Sequence, residues 1–355
     1  TTSDLSNDGN NLEDGVGNII PNELIDNTPT LVSFPESGSI GVSKSFEKTT
    51  NNNDGSYTAQ FLITVKNTGN VNLSQVQISD DLSTTFSSAL SWSIEAVNIA
   101  SSTLTGKSSL VNTTPSGATD LLVGTDTLAA GASKVFRFSV KFNPELTPTI
   151  YNNTVSVSAK SPSLNSVSDD SVNGSDVDPD GDDDATNNSS VTPVTYPRIA
   201  TRKVLDGSPG VNADGSYDVK FKVFVKNTGT QDLTGVLVDD ILSGAYPKFG
   251  TYTPTGTLTP GQYKVITAPS VVGAGTLVAG SGFTGESAHK NIAGGSLIVG
   301  AENEIRFTLR VFPATSNLSD YENSATSIGT GLFSQTSEDT SNDGASYEDG
   351  AGNGN

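Results

Sequence analysis

Apolar and polar residues alternate with a period of two through much of this chain. Tyr57, Ala59, Phe61, Ile63 and Val65 alternate with Thr58, Gln60, Thr64 and Lys66, and Tyr217, Val219, Phe221, Val223 and Val225 repeat the pattern. Successive side chains of a strand point to opposite faces, so each run predicts a strand with one face in a core and one in water. Phe136, Phe138, Val140 and Phe142 mark another such strand, as do Ile305, Phe307, Leu309 and Val311. Asp54-Gly55 and Asp214-Gly215 place turn residues ahead of the first pair, and Asn67-Thr68-Gly69 and Asn227-Thr228-Gly229 end it. Long helical spacing is absent. Short strands punctuated by turns predict an all-β fold of two antiparallel β-sandwiches in tandem.

The duplication can be read directly. Residues 53–82 align with 213–242, KVFRFSVKFNP at 134–144 matches NEIRFTLRVFP at 303–313, and Tyr151-x-Asn153 matches Tyr321-x-Asn323. The repeating unit is therefore about 160 to 170 residues long. Asp4 to Asn18 also repeats as Asp339 to Asn353, so the chain ends in the phase in which it begins. This organisation gives an acidic connector at 1–30, a sandwich at 31–167, a second connector at 168–190, a second sandwich at 191–335 and a third connector at 336–355. Within the sandwiches, 83–130 and 243–299 are longer than a minimal hairpin needs, and predict extra strands or a surface excursion.

Composition narrows the chemistry. The 355 residues carry a net charge of -20, no cysteine, no methionine and one histidine. Disulfides, thiolate nucleophiles and thiolate metal sites are excluded. With Thr1 in first place, the chain reads as a processed product or a piece of something longer. The acidic balance argues against nucleic acid, and no apolar stretch approaches the roughly 20 residues that span a bilayer, so no membrane insertion is expected.

The excess acid is confined. Residues 1–30, 168–184 and 336–355 hold 19 of the 39 acids and no Lys or Arg, so the remainder is nearly neutral. Each segment contains a D-x-[DS]-x-D-G string: Asp4, Ser6 and Asp8; Asp176, Asp178 and Asp180; Asp339, Ser341 and Asp343. Alternate oxygen side chains can converge on one centre while glycine takes the sharp turn, and hard oxygen ligands suit Ca²⁺. Asp14, Asp182 and Asp349 are placed to complete the shells. The EF-hand likeness stops there, because no Glu stands at the twelfth loop position and no amphipathic helix flanks a loop. The alternative is a solvated acidic linker, since Asp, Asn, Gly and Ser also dominate ordinary loops.

Lys44 and Lys203 on the first strands, the DGSY turns, VKNTG at 65–69 and 225–229, and QVQISDDL at 75–82 together resemble the conserved repeat domain of large bacterial and archaeal cell-surface and secreted proteins. The resemblance covers nearly the whole chain. It implies immunoglobulin-like sandwiches that serve as spacers, stalks or adhesive arms.

Other chemistry is thin. Gly280-x-Gly282-x-x-Gly285 opens no helix, His289 has no cysteine to pair with, and Trp92 reads as core. Asp80 and Asp240 follow strands and read as turn residues. Lys44 with Asn153, and Lys203 with Asn323, lie on first and last strands, where some immunoglobulin-like surface domains carry a Lys-Asn isopeptide bond. With no acid identifiable beside either pair, both are expected to stay uncrosslinked.

The chain therefore reads as a non-enzymatic structural segment of an extracellular filament, stalk or adhesin. Its expected partners are neighbouring identical or homologous repeats, head to tail, including a homopolymeric fibre, and Ca²⁺ would rigidify its connectors. The alternative is a binding module in which 83–130 and 243–299 recognise carbohydrate or a host protein through Phe86, Trp92, Tyr246, Phe249, Tyr252, Tyr263 or Phe283.

Overall fold

The computed structural model describes residues 32–286, 290–314, 320–344, 346 and 347. Asp4, Ser6, Asp8, Asp14, His289 and Asp349 lie outside the described residues. The chain divides into two compact units, Thr1–Ser37 and Gly38–Asn355. The described part of the first, residues 32–37, is exposed and without regular structure.

The second unit is all-β. Its first half contains β1 (Ile40–Asn51), β2 (Tyr57–Asn67), β3 (Ser74–Asp80), β4 (Ser91–Val97), β5 (Thr119–Asp120), β6 (Ser133–Asn143), β7 (Tyr151–Asn153), β8 (Val155–Lys160), β9 (Ser166–Asp170), β10 (Val172–Asn173) and β11 (Thr192–Val194). One sheet runs β10-β1-β2-β6-β4 and the facing sheet runs β5-β3-β8-β9, while β11 pairs with β7. The second half contains β12 (Ile199–Leu205), β13 (Gly210–Val211), β14 (Tyr217–Asn227), β15 (Leu233–Asp240), β16 (Thr251–Tyr252), β17 (Gln262–Gly273), β18 (Val278–Ala279), β19 (Ile292–Gly294), β20 (Ser296–Leu297), β21 (Glu302–Phe312), β22 (Ala325–Thr330), β23 (Thr336–Thr340) and β24 (Asn342–Asp343). Its sheets run β16-β17-β21-β14-β12-β24 and β18-β19-β15-β22-β23.

Each sandwich closes over its own core. Tyr57, Ala59, Phe61, Ile63 and Val65 are all at most 2% exposed, as the period of two requires. Phe61 lies opposite Phe138 in register, with the rings stacked 5.2 Å apart, and Phe221 opposite Phe307 at 5.4 Å. The turns follow the sequence. Asp54 and Asp214 each accept the amide of the serine two residues on at 3.0 Å, and Gly55 and Gly215 take φ of 82° and 88°.

Asn67 and Asn227 do more than end a strand. Fully buried, the Asn67 side-chain nitrogen donates to the carbonyls of Val71 and Leu128 at 2.8 and 2.9 Å, and its oxygen accepts the Gly69 amide at 3.0 Å. Asn227 makes the matching bonds to Gln231, Leu297 and Gly229. One carboxamide thus satisfies three loop groups that would otherwise be orphaned.

The long segments are built into the sandwiches. Residues 83–130 contribute β4, β5 and most of the short helix α1 (Leu82–Thr85), and 243–299 contribute β16 to β20. Their aromatics are mostly spent on packing. Phe86, Phe249, Tyr263 and Phe283 are buried, Trp92 and Tyr252 pack against the cores, and Tyr246 remains 46% exposed.

The two sandwiches meet at Thr195 to Arg198. The Tyr57 hydroxyl donates to the Pro197 carbonyl at 2.6 Å, and Arg198 Nη1 donates to the carbonyls of Pro144 and Glu145 at 2.8 and 3.1 Å. Tyr196 is fully buried among Tyr57, Phe142 and Tyr151. Aromatic rings and the Arg198 guanidinium fill this crossing, and a cleft of about 390 Å³ beside it is lined by Tyr57, Arg198, Glu338 and Asp339.

Candidate functional site

The acid-rich stretch 168–190 is laid against the first sandwich. β9 extends the sheet of β3 and β8, and the chain then changes sheets, so that β10 runs parallel to β1 with Ser43 opposite Val172 and Lys44 opposite Asn173. Ser171 holds the corner: its hydroxyl accepts the Val155 amide at 3.0 Å. Asp169 Oδ2 accepts the Val42 amide at 2.7 Å. Burial pushes the Asp169 carboxyl up to about 6, against the lowering effect of the backbone amides it accepts.

Beyond β10, the chain forms a loop anchored at both ends by small apolar residues. Val177 and Ala185 are buried against Gly41 on β1, where an added Cβ would stand 2.6 Å from that of Ala185. Gly41 is the residue that allows this approach. Between the anchors, Asp178 Oδ1 and Oδ2 accept the amides of Gly181 and Asp183, each at 3.1 Å. Asp182 accepts from the Asn187 side chain at 2.9 Å and Asp180 from Asn188 at 3.2 Å. Asp182 also accepts the Asp184 amide at 2.9 Å, so these bonds hold the three carboxylates close together. One oxygen from each of Asp178, Asp180 and Asp182 lies within 4.8 Å of the others. Oxygens on opposite sides of a Ca²⁺ ion at about 2.4 Å would be about 4.8 Å apart, so the set fits one coordination shell.

The other expected ligands are placed differently. Asp176 is exposed, with one oxygen on the Asp178 amide at 3.2 Å. Asp339 lies on β23 and its Oδ2 accepts the Thr201 amide, as Asp169 does for Val42. Ser341 turns the corner as Ser171 does, its hydroxyl accepting the Ala325 amide at 2.9 Å. Asp343 is exposed on β24, opposite Lys203 in register. The structure thus aligns the string at 339 with 169–174 rather than with 176–181, and two of its oxygens serve backbone amides at the sheet corner.

A second constellation sits inside each sandwich. Lys44 on β1 is fully buried, its Nζ 2.7 Å from Asp80 Oδ2 and 4.5 Å from the centroid of Phe61. Asn153 Nδ2 donates to the same Asp80 oxygen at 3.2 Å, and the Thr85 hydroxyl donates to Asn153 Oδ1 at 3.1 Å. In the second sandwich Lys203 contacts Asp240 and stands 4.6 Å from the Phe221 centroid. Asn291 Nδ2 donates to Asp240 Oδ2 at 3.3 Å. Asn323 stands beside the same carboxyl and holds its value down, although neither its carboxamide nitrogen nor its oxygen makes a well-formed hydrogen bond.

Burial dominates the electrostatics. It pushes the Lys44 amine below its ordinary value against the pull of Asp80, and takes Lys203 down to about 8. The same burial raises Asp80 and Asp240 above the usual carboxylate range. Asp80 and Asp240 are therefore not turn residues, because they face inward between the sheets. Asp81 takes the capping role instead, accepting the Thr84 amide of α1 at 3.0 Å.

No family model matches the chain, and no curated protein matches it. Among solved structures it is similar to the C-terminal domain of the AgI/II polypeptide BspA of Streptococcus agalactiae, at 10% identity over 86% of this chain and 100% of that one, with a TM-score of 0.38. BcpA, the major pilin subunit of Bacillus cereus, is similar at 10% identity over 86% of this chain and 68% of its own, with a TM-score of 0.27. The CupB6 tip adhesin of Pseudomonas aeruginosa is similar at 9% identity over 87% and 99%, with a TM-score of 0.17. Likenesses this distant carry neither a function nor a partner to this chain.

Proposed function

We propose that this chain is a non-enzymatic structural segment of an extracellular filament, stalk or adhesin, built from tandem β-sandwiches and stiffened by Ca²⁺ at its acid-rich loop. The observation that carries the reading is the convergence of Asp178, Asp180 and Asp182 between two buried anchors. Without a cation, these clustered carboxylates repel one another. A bound Ca²⁺ would neutralise them and fix the loop against β1. Stiffening is thus local to the first sandwich, because the joint at Thr195 to Arg198 has its own buried contacts. Neighbouring repeats of the same kind, joined head to tail, are the proposed partners, and the cell surface or extracellular space is the proposed location. Among the described residues no helix is long and apolar enough to cross a membrane.

Calcium titration by calorimetry, paired with limited proteolysis, tests this. Calcium should bind the intact chain and protect residues 176–188 from cleavage. EDTA should expose that loop while the far-ultraviolet β signal persists, since both cores are closed by apolar burial. Asp178→Asn with Asp180→Asn should abolish the protection with the fold intact, because amides keep the shape but lose the charge that holds a hard cation. Absence of any calcium heat, or protection that survives in the double variant, overturns the calcium site.

An adhesive role has one feature in its favour. A cleft of about 510 Å³ in the second sandwich is lined by Tyr246, Lys248, Phe249, Tyr252, Glu286 and Tyr321. Aromatic faces beside charged tips suit a carbohydrate. Binding on a glycan array that Tyr246→Ala removes would establish that reading.

A further inference from the structure

We infer that each sandwich carries an intramolecular isopeptide bond, Lys44 Nζ to Asn153 Cγ in the first and Lys203 Nζ to Asn323 Cγ in the second, formed by the chain itself with Asp80 and Asp240 as the proton-handling acids. The inference does not depend on calcium. It rests on the same buried lysine and aspartate, with an asparagine beside them, recurring in both cores.

Lys44 lies on the sheet of β1, β2 and β6, while Asp80 lies on the facing sheet and Asn153 on β7. Amine, carboxyl and carboxamide meet in the middle of the sandwich, at 0%, 2% and 1% exposure. As a permanent ion pair this is a poor stabiliser, because the loss of hydration offsets most of the attraction. Its value is chemical. A neutral amine is a nucleophile and a protonated carboxyl is an acid, and this dry, aromatic-walled site favours both neutral forms.

The geometry presents these groups to one another. Lys44 Nζ and Asn153 Nδ2 share a single oxygen of Asp80, at 2.7 and 3.2 Å, so nucleophile and leaving nitrogen lie on one proton carrier. The Thr85 hydroxyl donates to Asn153 Oδ1 at 3.1 Å, where negative charge develops when the carbonyl is attacked. The second Asp80 oxygen is buried without a partner. Protonated there, it can donate to the carboxamide.

The reaction balances without a co-reactant. Lys44 Nζ adds to Asn153 Cγ, forming the C–N bond, while Asp80 delivers its proton to the carboxamide oxygen. Asp80 then takes a proton from the attacking nitrogen and passes one to Nδ2. The Cγ–Nδ2 bond breaks as the carbonyl re-forms, ammonia leaves, and the hydroxyl proton returns to Asp80, which ends protonated as it began. Nothing is oxidised or reduced.

In the second sandwich, Lys203 and Asp240 occupy the equivalent positions, between Phe221 and Phe307. Two carboxamides flank Asp240, and the equivalent of Asn153 is Asn323: both follow tyrosine by two residues and precede the strand that pairs with the aspartate-bearing one. With its carboxamide uncommitted to other hydrogen bonds, Asn323 is the electrophile, whereas Asn291 orients Asp240.

Intact mass spectrometry of the full chain, denatured, tests the inference. Each bond removes one ammonia, so the chain should fall short of its sequence mass by about 34 Da, or about 17 Da per bond. Digestion should release branched peptides joining Lys44 to Asn153 and Lys203 to Asn323. Asp80→Asn and Asp240→Asn should each restore about 17 Da relative to the variant's own sequence mass. Lys44→Ala and Asn323→Ala should do the same at their own sandwiches, while Asn291→Ala leaves the branched peptide in place. Because mass is read on denatured chain, a variant that folds poorly does not obscure the wild-type result. A wild-type chain at its full sequence mass overturns the inference. So does a deficit that fragmentation assigns to a succinimide within one peptide, or a branch from Lys203 to Asn291.

Discussion

At the scale of single residues, the informative positions are polar side chains standing where the alternation calls for apolar ones. Val76, Ile78 and Asp80 share one face of β3, and Val236, Val238 and Asp240 one face of β15. Ile40, Val42 and Lys44 share a face of β1 in the same way. Asp169 is the milder case, a buried carboxylate held by a backbone amide, and its titration has a definite sign. Its ordinary value of 3.8 rises to about 6 on folding, so between these limits the folded chain holds a proton that the unfolded chain has released. Its contribution to stability is complete below the unfolded value and is lost as pH rises through the folded one. Urea midpoints should therefore show the wild type gaining on Asp169→Asn as pH falls from about 7 to about 4, since the amide does not titrate. A constant difference between the two chains across that range would contradict this assignment.

At the scale of elements, the acid-rich stretch combines a strand pair with a loop. β9 and β10 are fixed by ladder bonds and by Ser171, whereas residues 176–188 depend on the packing of Val177 and Ala185 over Gly41. A side chain at position 41 has to displace those anchors. Gly41→Val should cost about 1–3 kcal/mol through overpacking and loosen the loop. If the loop holds calcium, its affinity should fall by about tenfold or more. Hydrogen exchange checks this: amides of 176–188 should lose protection in the variant while β2 and β6 keep theirs.

For the whole second unit, the joint between sandwiches is the structure's own clamp. Tyr57→Phe removes the hydroxyl that reaches Pro197, and Arg198→Ala removes the donors that reach Pro144 and Glu145. Each such bond is worth about 1 kcal/mol, too little to unfold a sandwich but a large share of a small interface. Small-angle scattering should show the double variant with a larger radius of gyration and unchanged circular dichroism. EDTA applied to the wild type should leave the radius nearly unchanged, because the acid loop lies against β1 and not across the joint.

Local pattern alone determined the all-β class, the positions of the main strands, the DGSY turns and the duplication, because each is set by period-two burial or by turn residues a few positions apart. The spacing put Asp176, Asp178 and Asp180 in one set with Asp182 near it, and short spacing does keep Asp178 and Asp180 together, but the fold brings in Asp182 and leaves Asp176 on the Asp178 amide. The sequence, through the resemblance, set Lys44 with Asn153 and Lys203 with Asn323, but it read Asp80 and Asp240 as turn residues and so did not find the acid that stands beside each pair. Lys44, Asp80 and Asn153 are separated by 36 and 73 residues and come together only when two sheets face each other. Asp339 and Ser341 read as ligands because they share the spacing of a metal loop. They became strand latches because β23 and β24 place their oxygens against the amides of Thr201 and Ala325. The direction of a side chain depends on the sheet it joins, and only the tertiary structure, by burying one face, chose between a solvated carboxylate and a partner in the core.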